Sequence, residues 1–161
     1  MKNLIIVRHA KSSWEFDVID HERPLKTRGI NDTKLISSEF IKYKLKPDLV
    51  LVSDAMRTKL TAEIFQNILN INPEIIKFSH DLYDFSGESL TQVIKNCDDS
   101  INKLMVFGHN YAITNFVNSY GSMYFENVPT SGLVWLEFNT NNWRDIKEGN
   151  TKIYLFPRDF K

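Results

Sequence analysis

The stretch LIIVRHAKSSW, residues 4–14, runs four apolar residues straight into an arginine and a histidine. An unbroken apolar run of this length suits a strand buried on both faces, as in a parallel sheet covered by helices on either side. Charge is costly to bury at the end of such a strand. Arg8 and His9 therefore either face solvent there or stand ready for an anion. Two more runs have the same form, DLVLVS at 48–53 and KLMVF at 103–107, the second followed by Gly108. IIKF at 75–78, GLVWLEF at 132–138 and KIYLF at 152–156 read as further strands. Between them lie helical spacings: Met56, Leu60 and Ile64; Leu90, Val93, Ile94 and Cys97; Ile113, Phe116, Val117 and Tyr120. Strands alternating with helices of this length predict crossover units and a mainly parallel α/β sheet.

A chain of 161 residues is long enough for one domain with a real core and too short for two ordinary ones, so a single domain over 1–161 is expected. Twenty basic residues balance twenty acidic ones, which argues against a nucleic-acid or membrane-surface partner, normally marked by a basic excess. Any work on anions must come from local charge. The single cysteine, Cys97, excludes a disulfide within the chain and argues against a cysteine-based zinc site. Leu4–Val7 is far shorter than a signal-peptide core or a membrane span, and the expectation is a soluble cytoplasmic protein. The segment from Lys11 to Gly29 is long, charged and aperiodic, hence a loop, and loops of that length are often functional.

In open α/β sheets ligands sit beyond the carboxyl ends of the strands. The first strand ends in Arg8 and His9, the second in Ser53 with Arg57 one helical turn on, and the third in Gly108, His109 and Asn110. Three strand ends thus deliver guanidinium or imidazole groups to one edge of the sheet. Phosphate would unite them: arginine matches its oxygens with a planar, permanently charged fork, and the following helix N-termini add backbone donors. A neutral imidazole can also attack phosphorus and hold it covalently, so His9 or His109 is a candidate nucleophile, with the arginines balancing charge in the in-line transition state.

RHA at 8–10 with KSSW behind it resembles the opening motif of the histidine phosphatase, or phosphoglycerate mutase-like, superfamily, and more specifically its short SixA-type phosphohistidine phosphatases. The likeness continues through DHERPLKTRG at 20–29, VSDAMRTKLTAEIF at 52–65, LYDFSGESL at 82–90, VFGHNYAITNF at 106–116 and VPTSGLVWLEF at 128–138. The resemblance implies a three-layer α/β/α sandwich with a mainly parallel central sheet, no metal and no other cofactor. It makes His9 the nucleophile that becomes phosphohistidine, with Arg8, Arg57 and His109 holding the phosphate and Ser12 adding a hydroxyl. Asp84, in LYDFSG, is the nearest match to the carboxylate that mutase-type members use as general acid. The implied substrate is a phosphohistidine-bearing protein, such as a phosphotransfer domain or a phosphocarrier, with inorganic phosphate as product and the enzyme a monomer. Two alternatives stand beside it: a small-molecule phosphomonoesterase or mutase, and a binding module that has lost catalysis.

The chain departs from the family pattern in places. Glu15 stands where larger members often carry asparagine, and it is expected to point away from the phosphate. Asp54 replaces a frequent proline, a change expected to affect the turn. His21 and His80 match no catalytic position and read as exposed loop histidines. A metal held by His9 and His109 is disfavoured, because no HExxH pattern or second cysteine accompanies them. Arg28 reads as structural, while Arg23 and Trp14 are open between packing and contact with a partner.

Overall fold

The computed structural model describes residues 1–161. Six strands, β1 (Lys2–Arg8), β2 (Leu49–Ser53), β3 (Ile76–Ser79), β4 (Lys103–Gly108), β5 (Leu133–Phe138) and β6 (Asn150–Leu155), form one sheet in the order β3-β2-β4-β1-β5-β6. The β3-β2, β2-β4 and β4-β1 pairs are parallel, while β5 runs antiparallel to both β1 and β6. Four helices, α1 (Thr27–Phe40), α2 (Met56–Leu69), α3 (Glu88–Lys95) and α4 (Ala112–Tyr120), cover the two faces.

Alternation along β1 explains the layering, because successive strand residues point to opposite faces. Leu4 and Ile6 join Leu90, Ile94, Ile113, Phe116 and Val117 of α3 and α4 on one side. Ile5 and Val7 join Ile36, Phe40, Ala62 and Phe65 of α1 and α2 on the other. All four strand residues are wholly buried, as expected for a strand whose two faces are both covered. The expected three-layer α/β/α sandwich is therefore the observed one, with an antiparallel edge added to a parallel centre.

The face presented by α2 differs from the expected one. Met56 is exposed and Leu60 and Ile64 are only half-buried, whereas Thr58, Thr61, Ala62 and Phe65 face inward. Small residues let α2 approach the sheet closely, and each threonine hydroxyl is satisfied in the burial: Thr58 Oγ1 donates to the Ala55 carbonyl and Thr61 Oγ1 to that of Arg57. Thr61 also accepts the backbone N–H of Ala10 at 2.9 Å, which ties α2 to the residue after His9.

Gly29, in the first turn of α1, is required by a close approach. A Cβ there would lie 2.4 Å from the carbonyl oxygen of Lys11 and 2.8 Å from its nitrogen. Lys11 in turn accepts the Lys26 N–H, and Ser12 bridges to Leu25, so the loop leaving β1 folds back onto the start of α1.

Candidate active site

The end of β1 is gripped from both sides. His9 N–H donates to the Gly108 carbonyl at the end of β4, Arg8 N–H donates to that of Gly132, and Ser131 N–H reaches the carbonyls of Arg8 and His9. These bonds place the two residues between the end of β4, where α4 follows, and the segment entering β5, with the end of β2 and the start of α2 one strand further along. The resulting cleft, of about 510 Å3, is lined by Arg8, His9, Lys11, Ser12, Trp14, Asp20, Arg23, Arg57, Phe85 and Thr130.

His9 is only 8 % exposed, and its Nδ1 lies 2.8 Å from the carbonyl oxygen of its own neighbour, Ala10. A carbonyl can only accept, so Nδ1 carries the proton and Nε2 keeps its lone pair. Burial, opposed by that bond, and then the positive charges of Arg57, Arg8 and Arg23 hold the imidazole pKa down at about 3. The ring is therefore neutral and nucleophilic at any ordinary pH.

His109, 1 % exposed, packs with its ring centre 5.2 Å from that of His9 and lies behind the cleft rather than on its surface. Its Nε2 is 2.8 Å from Ser53 Oγ, and its Nδ1 has no partner. Burial foremost, then the neighbouring His9 and Arg57, push its pKa down to about 2. Arg8 donates through Nη1 to the Val128 carbonyl at 2.9 Å, and its Nε, like the Nε of Arg57, is buried without a partner. Buried donors without acceptors are rare in folded proteins. Two such donors, with an unpartnered ring nitrogen of His109 beside them, mark a site built to receive an acceptor-rich group.

Asp20 is the residue that the sequence reading missed. Its carboxylate accepts from Arg23 Nε at 3.0 Å, from Arg57 Nη2 at 3.0 Å and from the Tyr83 hydroxyl, while its carbonyl accepts from Arg57 Nη1 at 2.8 Å. Desolvation alone would raise its pKa, but Tyr83, Arg57 and Arg23 together hold it well below the usual carboxylate range. Arg23 is likewise a cleft residue: it is 7 % exposed, donates to Ser12 Oγ and lies with its guanidinium 3.6 Å above the Trp14 ring. Arg8, Arg23 and Arg57 thus share the cleft with one carboxylate, which only Arg23 and Arg57 touch, a surplus of positive charge suited to a phosphoryl group. The only hint in the sequence is the position of Asp20 in the long charged loop, since its partners are up to 63 residues away.

Asp84 does not join this group. One carboxylate oxygen accepts the N–H groups of Gly87 and Leu90 at 3.0 Å, and the other accepts from the backbone and hydroxyl of Ser86. It caps the start of α3, and although desolvation opposes this, the donated N–H groups lower its pKa. Its acceptor capacity is committed to the loop, and it does not line the cleft. The structure thus does not bring Asp84, expected as a general acid, together with His9 and the arginines. Glu15 is exposed and outside the cleft, and Arg28, 72 % exposed, pairs along α1 with Asp32. His21 and His80 are not isolated loop histidines: both meet the carboxylate of Asp54.

This architecture, with its histidine and arginines at the ends of parallel strands, is the phosphoglycerate mutase-like fold of the histidine phosphatases. Within that fold the chain superposes with a TM-score of 0.79 on a protein assigned as the phosphohistidine phosphatase SixA of Agrobacterium tumefaciens, at 23 % identity over 96 % of this chain and 97 % of that one. It superposes with a TM-score of 0.78 on the protein histidine phosphatase SixA complexed with tungstate, at 20 % identity over 99 % of both chains. A phosphoserine phosphatase from Entamoeba histolytica in complex with 3-phosphoglyceric acid shares the fold at a TM-score of 0.65 and 13 % identity, over 96 % of both chains. In sequence, an uncharacterised chloroplast protein of Arabidopsis thaliana is 31 % identical over 118 residues, which are 68 % of this chain and 54 % of that protein. The chain therefore spans about half the length of that relative. An uncharacterised protein of Mycobacterium tuberculosis is 25 % identical over 154 residues, 89 % of this chain and 93 % of that one. No family model matches the sequence.

Proposed function

We propose that the chain is a SixA-type member of the histidine phosphatase superfamily that hydrolyses phosphohistidine on a protein through a phospho-His9 intermediate. The observation that carries this reading is the state of His9: buried, neutral, protonated on Nδ1 by its bond to Ala10, and presenting Nε2 beside Arg8 and Arg57. Nε2 attacks phosphorus, the bond from phosphorus to the leaving group breaks, and the arginines balance the charge on the equatorial oxygens. Ser12 acts as a further donor to the phosphoryl oxygens, and His109 supports the His9 ring from behind. In the second step water attacks phosphorus, the bond to Nε2 breaks with its electron pair returning to the ring, and the water protons stay with the phosphate that is released, while Asp20 positions Arg57 and Arg23.

The preference for phosphohistidine follows from what the cleft lacks in acid. An alkoxide leaving group gains much from a protonated carboxylic acid within reach. Asp20 and Asp84 are both held ionised, Asp84 by the loop it caps. Imidazole leaves far more readily, because its conjugate acid has a pKa near 6.5. The cleft is also open to solvent along Trp14 and Phe85, at 72 % and 46 % exposure, and so accessible to a side chain projecting from another protein.

The test compares phosphate release from a phosphohistidine protein and from a phosphoserine peptide, in EDTA, by wild type and His9→Ala. Strong preference for phosphohistidine, abolished in the variant, is the expected result. Equal rates for wild type and variant would remove His9 as nucleophile, and equal turnover of the two substrates would point to a general phosphomonoesterase.

A further inference from the structure

Outside the cleft, three side chains from separate segments converge. His21 lies in the short turn Asp20–Glu22, Asp54 in the link from β2 to α2, and His80 just after β3. His21 Nε2 is 2.8 Å from Asp54 Oδ1, and His80 Nδ1 is 3.0 Å from Asp54 Oδ2. All the donor atoms lie within 4.8 Å of one another. The side chains of His21, Asp54 and His80 are 31 %, 28 % and 73 % exposed. At that exposure water would serve each imidazole equally well, so the desolvation of buried groups does not require them to meet.

We propose that His21, Asp54 and His80 form a site for a divalent transition-metal cation, of which zinc is the type. Two imidazole nitrogens and one carboxylate are a ligand set that suits zinc and its first-row neighbours. Metal–ligand bonds of about 2.0–2.2 Å put adjacent ligands roughly 3 Å apart at right angles and slightly further apart in a tetrahedron. The two contacts to Asp54 already have that spacing. Closing the third edge requires the His80 ring to move, and its high exposure leaves it free to do so. Water completes the coordination from the open side.

The site would act on the neighbouring cleft through one covalent step of the chain. His21 follows Asp20, whose carboxylate holds Arg57 and Arg23. A cation would clip the Asp20–Glu22 turn to β2 and β3 and so restrain the loop that carries Asp20. The assignment of the site itself does not depend on the phosphatase reading.

The test is titration of the chelator-treated protein with Zn2+ by calorimetry, and with Co2+ by visible absorption, in phosphate-free buffer. One equivalent should bind saturably, with the nitrogen-ligated Co2+ bands of a site below six-coordination. His80→Ala and His21→Ala should each weaken binding at least tenfold, a loss in the range of 10- to 100-fold seen even for groups that only support metal ligands. His9→Gln should leave it unchanged. No saturable binding, affinity unaltered by both His80→Ala and His21→Ala, or affinity lost in His9→Gln would each overturn the assignment, the last by moving the metal into the cleft.

Discussion

Two neutral histidines at the centre of the fold make its stability depend on acid in a calculable way. An unfolded histidine titrates near 6.5, whereas burial and then neighbouring positive charge push His9 down to about 3, and burial with the adjacent His9 and Arg57 pushes His109 down to about 2. Because the native pKa is depressed, each ring contributes stability that is present above pH 6.5 and lost as pH falls toward the native value. Between pH 7 and pH 5 the unfolded chain takes up about 0.7 proton per ring and the native chain almost none. At about 1.36 kcal/mol per pH unit, over about 1.5 units below 6.5, that costs about 2 kcal/mol per histidine. The perturbation is His9→Gln, which removes one ring from this balance. Urea unfolding in phosphate-free buffer at pH 7 and pH 5 should show wild type losing about 2 kcal/mol more than the variant across that interval. Contributions common to both proteins cancel in the difference. Proton NMR of the His9 ring should show no titration between pH 5 and 8. An identical pH slope for wild type and variant, or a His9 midpoint near 6.5 in the folded protein, would refute the argument and leave the nucleophile protonated through part of the ordinary pH range.

Other substitutions separate the roles assigned above. Asp20→Asn should slow phosphoenzyme formation and phosphate release together, lowering kcat/KM by up to about 10²-fold, because it loosens Arg57 and Arg23; accumulation of acid-labile phospho-His9 in a rapid-quench experiment would instead make Asp20 the base of the second step. Asp84→Ala should cost about 1–2 kcal/mol in chemical denaturation through loss of the α3 cap, with kcat unchanged; a hundredfold drop in kcat would restore it to the catalytic group. Gly29→Ala should destabilise by about 1–3 kcal/mol and reduce kcat/KM, because the new methyl group meets the Lys11 backbone and pushes the Ser12 segment away from the cleft; wild-type stability would contradict the observed approach.

The sheet was legible because its strands are apolar on both faces and end abruptly in Arg8 and His9, Ser53, or Gly108 and His109. Unbroken apolarity points to a covered parallel strand, and the abrupt ends say which edge of the sheet holds the polar groups. The face of α2 was not legible, because Met56, Leu60 and Ile64 carry the stronger hydrophobic spacing while close packing selects the smaller Thr58, Thr61 and Ala62. The places of Asp84 and Asp20 were hidden for the same reason in reverse. A carboxylate near a motif looks catalytic and one in a charged loop looks solvated. Which is which depends on partners: Asp84 spends its oxygens on N–H groups within six residues, whereas Asp20 finds Arg57 and Tyr83 across the fold.

β1 lies between β4 and β5, and its last residues are held on both flanks, while Asp20, His21 and Arg23 belong to a loop with a single short turn. The cleft is therefore half anchored and half hinged. The His9 N–H, bonded to Gly108 inside the sheet, should exchange more slowly than the amides of the loop that forms the facing wall, since sheet centres open less readily than loops. Sequence change is partitioned in the same way: the loop can be retuned to a new partner while the strand that holds the histidine stays as it is.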